Sequence, residues 1–307
     1  MSENQAGTLS EASQAPRTRL TARLDAELVR RGLARSRTQA AAHLKDGRVS
    51  VDGITVTRAS TPVTADSVLT VRPDVDDPGF VSRAAFKLDG VLTALGDAAP
   101  PVSGAVCLDV GASTGGFTDV LLRRGARTVI ALDVGHDQLV PELREDPRVQ
   151  VMEKFNARQL TTADLPAVPS VVVADVSFIS LTLILPAIVR SVPADADLVL
   201  MVKPQFEVGR ERLGHGGVVR SDTLRSEAVR SVTTAAAGAG VGVRAVIPSP
   251  LPGPHGNREY FVWFTRAAPP IPAGDDTIER AVAHPLGAAT VAYWVTPDAT
   301  PTTGGRS

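Results

Sequence analysis

Two rhythms of apolar and polar positions run along this 307-residue chain. From residue 105 onward, short apolar runs recur at 105–110, 128–134, 149–154, 171–176 and 198–202. Each is of strand length. Between them apolar residues return at three- and four-residue spacing, as on helices laid against a sheet. This alternation predicts a doubly wound α/β domain, its sheet mostly parallel with helices on both faces. Residues 82–95 predict a helix ahead of the first strand, burying Ala85, Leu88, Val91, Leu92 and Leu95. A helix over 222–237, then strands at 243–247 and 260–264, predicts a closing pair with one antiparallel member.

The upstream part is patterned differently. Residues 22–31 predict a helix with Leu24, Leu28 and Val29 inward, ended by Gly32. Ser36 is placed to cap a second helix with Ala40, Ala41 and Leu44 inward, closed by Gly47. Val49-Ser50-Val51 then alternates into Asp52-Gly53, a hairpin-turn signal. The organisation expected is a disordered start (1–16), a small α+β unit (17–72), a Pro/Asp-rich linker (73–81), the α/β domain (82–266) and a tail (267–307). The tail holds six prolines and reads as largely disordered, with Tyr293 and Trp294 available to dock.

Residues 108–122, LDVGASTGGFTDVLL, run from a strand through a glycine-broken turn into an amphipathic helix. That is a Rossmann-like cofactor loop, with Gly111, Gly115 and Gly116 allowing positive φ and close backbone approach. Its spacing departs from the dinucleotide fingerprint G-x-G-x-x-G. Asp109, Ser113 and Thr114 suit a cationic, amino-acid-bearing nucleoside better than pyrophosphate, which points to S-adenosylmethionine, and Phe117 is a further candidate contact for it. Asp133 ends the second strand, where such domains bind ribose hydroxyls, and Asn156 follows the third. Phe178 reads either as packing or as cover for a purine ring.

Composition sharpens this picture in three places. Net charge is −1, but residues 17–48 carry +6, leaving −7 on the rest. A compact basic module on an acidic body is the footprint of a nucleic-acid-binding appendage, and Arg19, Arg23, Arg30, Arg31, Arg35, Arg37, Lys45 and Arg48 are its candidate contacts. The single cysteine, Cys107, lies inside an apolar strand and reads as a buried filler. With no leader pattern, and a longest apolar run (179–189) too short for a bilayer, a cytoplasmic protein is expected. His215 and His255 lack metal-ligand spacing, so no metal is expected.

Lysine usage is the third place. Of 32 basic residues only Lys45, Lys87, Lys154 and Lys203 are lysine. A chain that uses arginine for permanent charge keeps lysine where a proton must be lost or a small pocket filled. Lys203 ends a strand in LMVKPQFE and Asp175 ends another in VVVADVSFIS, both at the carboxyl edge where open α/β sheets bind ligands. Lys87 lies on the helix before the first strand, and Glu259 opens the last one.

The motifs SRAAFKL, LDVGASTGGFTDVLL, ALDVG, VVADVSFIS, VKPQFEVG, GGVV and SPLPGPHGNREYF occur in that order behind RLDAELVRRGLARSRTQAAAHLKDGRVSVDG. The last resembles the S4-like RNA-binding fold, and the whole, over about residues 20–266, resembles the TlyA family. Its members are labelled both hemolysin and ribosomal RNA 2′-O-methyltransferase, with an FtsJ-like methyltransferase domain. The resemblance implies an S-adenosylmethionine-dependent enzyme acting on cytidine ribose in 16S and/or 23S rRNA. It also implies a Lys-Asp-Lys-Glu tetrad, here Lys87, Asp175, Lys203 and Glu259. In that scheme Lys203 acts as base or orients the 2′-hydroxyl, Asp175 positions the amine, and Glu259 orients Lys87 or a substrate hydroxyl. The glycine-rich segment 209–217 reads as a mobile cover. Two alternatives stand beside it: a membrane-active hemolysin, disfavoured by the lack of a spanning or basic amphipathic aromatic stretch, and a catalytically inactive RNA-binding ribosome-assembly factor, disfavoured by the intact tetrad.

Overall fold

The structure, a computed structural model, describes residues 21–34, 36–72, 78–253, 255–272, 274–285 and 287–295. The chain divides into two compact units, Met1–Pro78 and Gly79–Ser307. Arg19 and Arg35 lie outside the described residues, as do the start over 1–16 and residues 73–77 of the expected linker.

In the first unit, β1 (Thr21–Arg23) leads into α1 (Leu24–Arg30) and α2 (Arg37–Lys45), followed by β2 (Val49–Val51), β3 (Ile54–Thr55), β4 (Pro62–Thr64) and β5 (Leu69–Val71). Strands β3, β2 and β5 form one antiparallel sheet, and β1 pairs with β4. Ser36 accepts from the Gln39 amide and starts α2. Asp52 and Gly53 both take positive φ, as a two-residue hairpin turn requires. Leu24, Leu28, Ala40, Leu44, Val49 and Val63 make the core. Ala41 was expected inside and is exposed. The inward face carries Ala40, His43 and Leu44 instead, because the helical repeat turns residue 41 by about 100° away from residue 40.

Two buried carboxylates organise this unit's arginines. Asp25 takes the guanidinium groups of Arg23 and Arg37, and Glu27 those of Arg30 and Arg31. These hydrogen bonds hold both carboxyls at about 2, below their ordinary 3.8 and 4.5. A carboxyl depressed on folding stabilises above its unfolded pKa, and that contribution disappears as pH falls through the folded value. Amide protection factors over α1 and α2, which are exchange rates corrected for the intrinsic pH dependence, are therefore expected to fall between about pH 4.5 and 2, and an Asp25→Asn/Glu27→Gln protein should lose this dependence.

The second unit is built on one eight-stranded sheet. Its elements are α3 (Arg83–Leu95), β6 (Val106–Val110), α4 (Gly116–Arg123), β7 (Thr128–Leu132), α5 (Pro141–Arg144), β8 (Val149–Met152) and β9 (Val171–Ala174). Then come α6 (Leu181–Ser191), β10 (Asp197–Val202), α7 (Pro204–Glu207), α8 (Asp222–Gly238), β11 (Gly242–Pro248), β12 (Tyr260–Thr265), α9 (Thr277–Ala283) and β13 (Tyr293–Trp294). The order is β13-β11-β12-β10-β9-β6-β7-β8. Strands β8, β7, β6, β9 and β10 run parallel, and β12 is antiparallel to both neighbours. One apolar layer holds Leu185 and Ile188 of α6 with Val229 and Val232 of α8, and the other holds Leu88 of α3 with Leu121 of α4. The chain leaves β6 towards β7 on one side and returns as β9 on the other. That switch point puts the carboxyl ends of β6, β9 and β10 beside an open crevice.

Two expected boundaries are corrected. Phe80 and Val81, assigned to the linker, are packed into this unit: Phe80 is buried in the core, and the Val81 amide donates to Asp119. The tail assigned to disorder contains α9 and β13. Ile278, Ala281 and Val282 are buried, β13 pairs with β11, and Trp294 packs edge-on against Trp263 at 5.9 Å. The six prolines sit outside these two short elements, so composition averaged over the whole segment concealed them. Pairing with β13 also covers part of the edge that β11 would otherwise expose.

Candidate active site

The glycine turn after β6 is held open by its own backbone. Gly111 and Gly115 have φ of +86° and +97°, and Ser113, which is not glycine, has +47°. Asp133 fixes this strained turn: one carboxylate oxygen accepts from the Ser113 amide (2.8 Å) and the other from the Gly135 amide (2.7 Å). A Cβ on Gly111 would stand 2.8 Å from the backbone oxygen of Asp175. Gly111→Ala is expected to cost about 2 kcal/mol or more, from a left-handed φ and a contact that backbone cannot relieve. Thermal melting checks the stability loss, and calorimetric titration of the nucleoside cofactor should show weaker binding.

Two cavities meet at this crevice. One, of about 500 Å³, is lined by all four candidate tetrad residues, by Thr114 of the glycine turn and by Gly116 and Phe117 from the start of α4. The other, of about 600 Å³, is lined by Leu132, Asp133, Val134, Phe155, Asn156 and Ile184. Gly111, Ser113, Asp175, Ser177 and Phe178 line both and form their common wall.

The tetrad resolves into two ion pairs. Lys87 Nζ lies 2.5 Å from Glu259 Oε2, with both side chains almost completely buried. Lys203 Nζ lies 2.5 Å from Asp175 Oδ1 and donates to Ser177 Oγ at 2.8 Å. Backbone order produces this geometry. The Asp175 amide donates to the Val110 carbonyl, which sets it beside Gly111. Lys203 directly follows β10, next to β9, and Pro204 turns the chain immediately after it. The turns after β9 and β10 are tied together by Glu207, which accepts from Ser180 Oγ (2.5 Å) and the Leu181 amide (2.9 Å). Burial pushes the Glu207 carboxyl above its usual range. These turns carry Phe178 and Phe206, whose rings are 5.3 Å apart. Phe178 is 92% exposed with φ of +66°, so core packing does not account for it.

Other expected residues are placed elsewhere. Asp109 is completely buried, accepts from Thr118 Oγ1 at 2.7 Å and lines neither cavity. The period-two pleat puts it with Cys107 under α4, and burial pushes its carboxyl up to about 7. Gly115 also lines neither cavity; a Cβ there would meet Leu143 and Leu139. Cys107 is buried, and burial pushes its thiol up to about 12, as an inert filler requires. In the first unit Arg31 donates to Glu27 and to the carbonyls of Ser67, Thr64 and Ala65, so its role there is structural. The side chains of Arg23, Arg30 and Arg37 are 52%, 66% and 63% exposed.

Sequence reasoning missed Ser177, Gln205, Arg83 and Asn257, which also line the lysine-bearing cavity. Gln205 Nε2 donates to Glu259 at 3.2 Å. Asn257 fastens the glycine-rich segment to the cavity, accepting from the Val219 amide and donating to the Gly217 carbonyl. The signal for Ser177 and Gln205 was adjacency: each lies two residues beyond a tetrad member. Among the described residues no group of His, Cys, Asp or Glu is arranged to hold a metal, and no helix is long and apolar enough to cross a membrane.

A glycine turn at a sheet switch point, opening onto paired lysines and carboxylates, defines the class: residues 80–266 match the FtsJ-like methyltransferase family and residues 22–69 the S4 domain. The 16S/23S rRNA (cytidine-2'-O)-methyltransferase TlyA of Mycobacterium tuberculosis is 50% identical over 269 residues, covering 86% of this chain and 98% of that protein. Hemolysin A of Brachyspira hyodysenteriae is 39% identical, covering 79% and 99%. A solved structure of a Streptococcus thermophilus protein described as a hemolysin superposes with a TM-score of 0.67 at 35% identity, covering 86% of this chain and 94% of that one. The chain belongs to the TlyA family.

Proposed function

We propose that this protein is an S-adenosylmethionine-dependent 2′-O-methyltransferase acting on cytidine ribose in 16S and/or 23S rRNA. The observation that carries the reading is Lys203, buried in one cavity against Asp175 and Ser177, two residues of the wall which that cavity shares with the other. The residues fit the cofactor. Leu132, Val134, Phe155 and Ile184 offer apolar surface to a purine, Asp133 offers carboxylate lone pairs to a ribose diol, and Asn156 borders the same cavity. The backbone of Ser113 and Thr114 and the start of α4 border the other side. When bound, S-adenosylmethionine supplies a sulfonium methyl, an electrophile that needs no metal.

The protein's own residues then have one difficulty to solve, a ribose hydroxyl that is a weak nucleophile while it keeps its proton. Lys203 holds that oxygen and, once its own ammonium proton has passed to solvent, takes the hydroxyl proton as the neutral amine. Asp175 and Ser177 occupy the other directions around Nζ and fix where the amine points. Lys87 and Glu259 form the second wall of the acceptor site. Phe178, exposed at the junction of the cavities, offers a face on which a base turned out of the RNA can stack. The S4 module contributes affinity: Arg23, Arg30, Arg37, Lys45 and Arg48 meet phosphates without reading sequence, at cytoplasmic ribosomal subunits.

The test is 2′-O-methyl mapping by primer extension on rRNA from cells with and without the gene, combined with transfer of labelled methyl to isolated ribosomal subunits. A gene-dependent stop at a cytidine is expected. Identical stop patterns, with no label incorporated by either subunit, would refute the proposal.

A further inference from the structure

Gln205 is fixed by Glu259 in a way that leaves half of its amide unpaired. Its Nε2 donates to Glu259 Oε1 at 3.2 Å, while Glu259 Oε2 takes Lys87 Nζ at 2.5 Å. A carboxylate only accepts, so Nε2 must face Glu259 and the carbonyl Oε1 must face elsewhere. That Oε1 is buried and has no hydrogen-bond partner among the described residues. Gln205 lines the lysine-bearing cavity and not the second one. A desolvated, unpaired carbonyl carries a cost, and a turn of this side chain, which already lines the cavity, would bring it to a ligand whose donor relieves that cost.

We infer that Gln205 is a specificity-determining residue whose carbonyl accepts a hydrogen bond from an exocyclic amine on the base of the target nucleotide. The inference rests on the ribose-methylation reading. Within an RNA chain the 3′-oxygen is esterified and the 2′-hydroxyl belongs to Lys203, so the target's remaining donors are on its base. Cytosine carries an N4 amine where uracil carries a carbonyl, which would set two acceptors against each other. A site built to pair a substrate donor rejects the analogue that lacks it. The cofactor's ammonium is the competing donor. Gln205 lies at the tetrad end of the cavity, two residues from Lys203 and bonded to Glu259.

The full-length protein is assayed on ribosomal subunits whose mapped target carries cytidine, uridine or the 2-pyrimidinone riboside, which is cytidine without its amine. Wild type is expected to lose about ten- to a hundredfold in kcat/KM when the amine is removed. Gln205→Leu should lose a similar factor on cytidine, with little further loss on the pyrimidinone, so that the two changes do not multiply. Cofactor affinity, measured by titration, should stay at the wild-type value. Equal wild-type rates with and without the amine would overturn the inference, as would multiplying losses or a cofactor Kd that shifts with the variant. The wild-type comparison decides the matter even if Gln205→Leu does not fold. Wild type that methylates none of the three substrates would instead strike the ribose-methylation reading itself.

Discussion

Lys203→Arg is expected to lower kcat by about 10²–10⁴-fold while cofactor binding stays near wild type. Lys203 is 8% exposed and its Nζ is gripped at 2.5 Å and 2.8 Å, a space shaped for a small ammonium or amine and not for a planar guanidinium. Arginine keeps the charge but cannot give up its proton. It therefore separates the two services lysine can render, attraction and proton transfer. Radiolabelled methyl transfer measures the first quantity and calorimetry with the cofactor the second. Full activity in the arginine variant would remove proton acceptance from Lys203. Loss of cofactor affinity in parallel with rate would place it in the cofactor site.

The second large effect concerns Lys87 and Glu259, an ion pair with 6% and 1% of its side-chain surface exposed. Glu259→Ala strands an ammonium in the interior and is expected to cost about 3–5 kcal/mol. For a unit of this size that is a fall in Tm of roughly 10 °C. Lys87→Met/Glu259→Leu removes both charges and should recover most of the stability, because well-packed apolar side chains commonly equal a buried pair. Activity should stay lost in the double variant, since the acceptor wall no longer carries charge. Calorimetric melting together with a methyl-transfer assay checks both halves. A double variant that is stable and active would show the pair to be merely structural.

The α/β architecture was legible because parallel strands buried on both faces read as continuous apolar runs, as in LVLMV of β10 and VVVA of β9. Lys203, just past β10, and Lys87, on α3, stood out in the sequence as two of only four lysines in an arginine-rich chain, whereas their grouping with Asp175 and Glu259 was implied by the resemblance to the TlyA family. Asp109 failed because the eye takes a carboxylate at a strand end as ligand-facing, whereas the pleat decides its face and turns it towards Thr118. Arg31 was grouped with the other arginines because charge counting cannot tell a solvent-facing guanidinium from one engaged by three backbone carbonyls. Strands β1, β4 and β5 have three residues each and carry no period. The cooperation between Gln205 and Glu259, 54 positions apart, exists only once the sheet brings β10 and β12 side by side.

Gly111, Ser113, Asp175, Ser177 and Phe178 serve as a partition with a chamber on each side. A single small molecule reaching across that partition, with a purine-like head and a basic arm, would compete with both natural ligands at once. Its arm would meet Lys87, Lys203 and Glu259, which line only the chamber away from the apolar residues Leu132, Val134, Phe155 and Ile184.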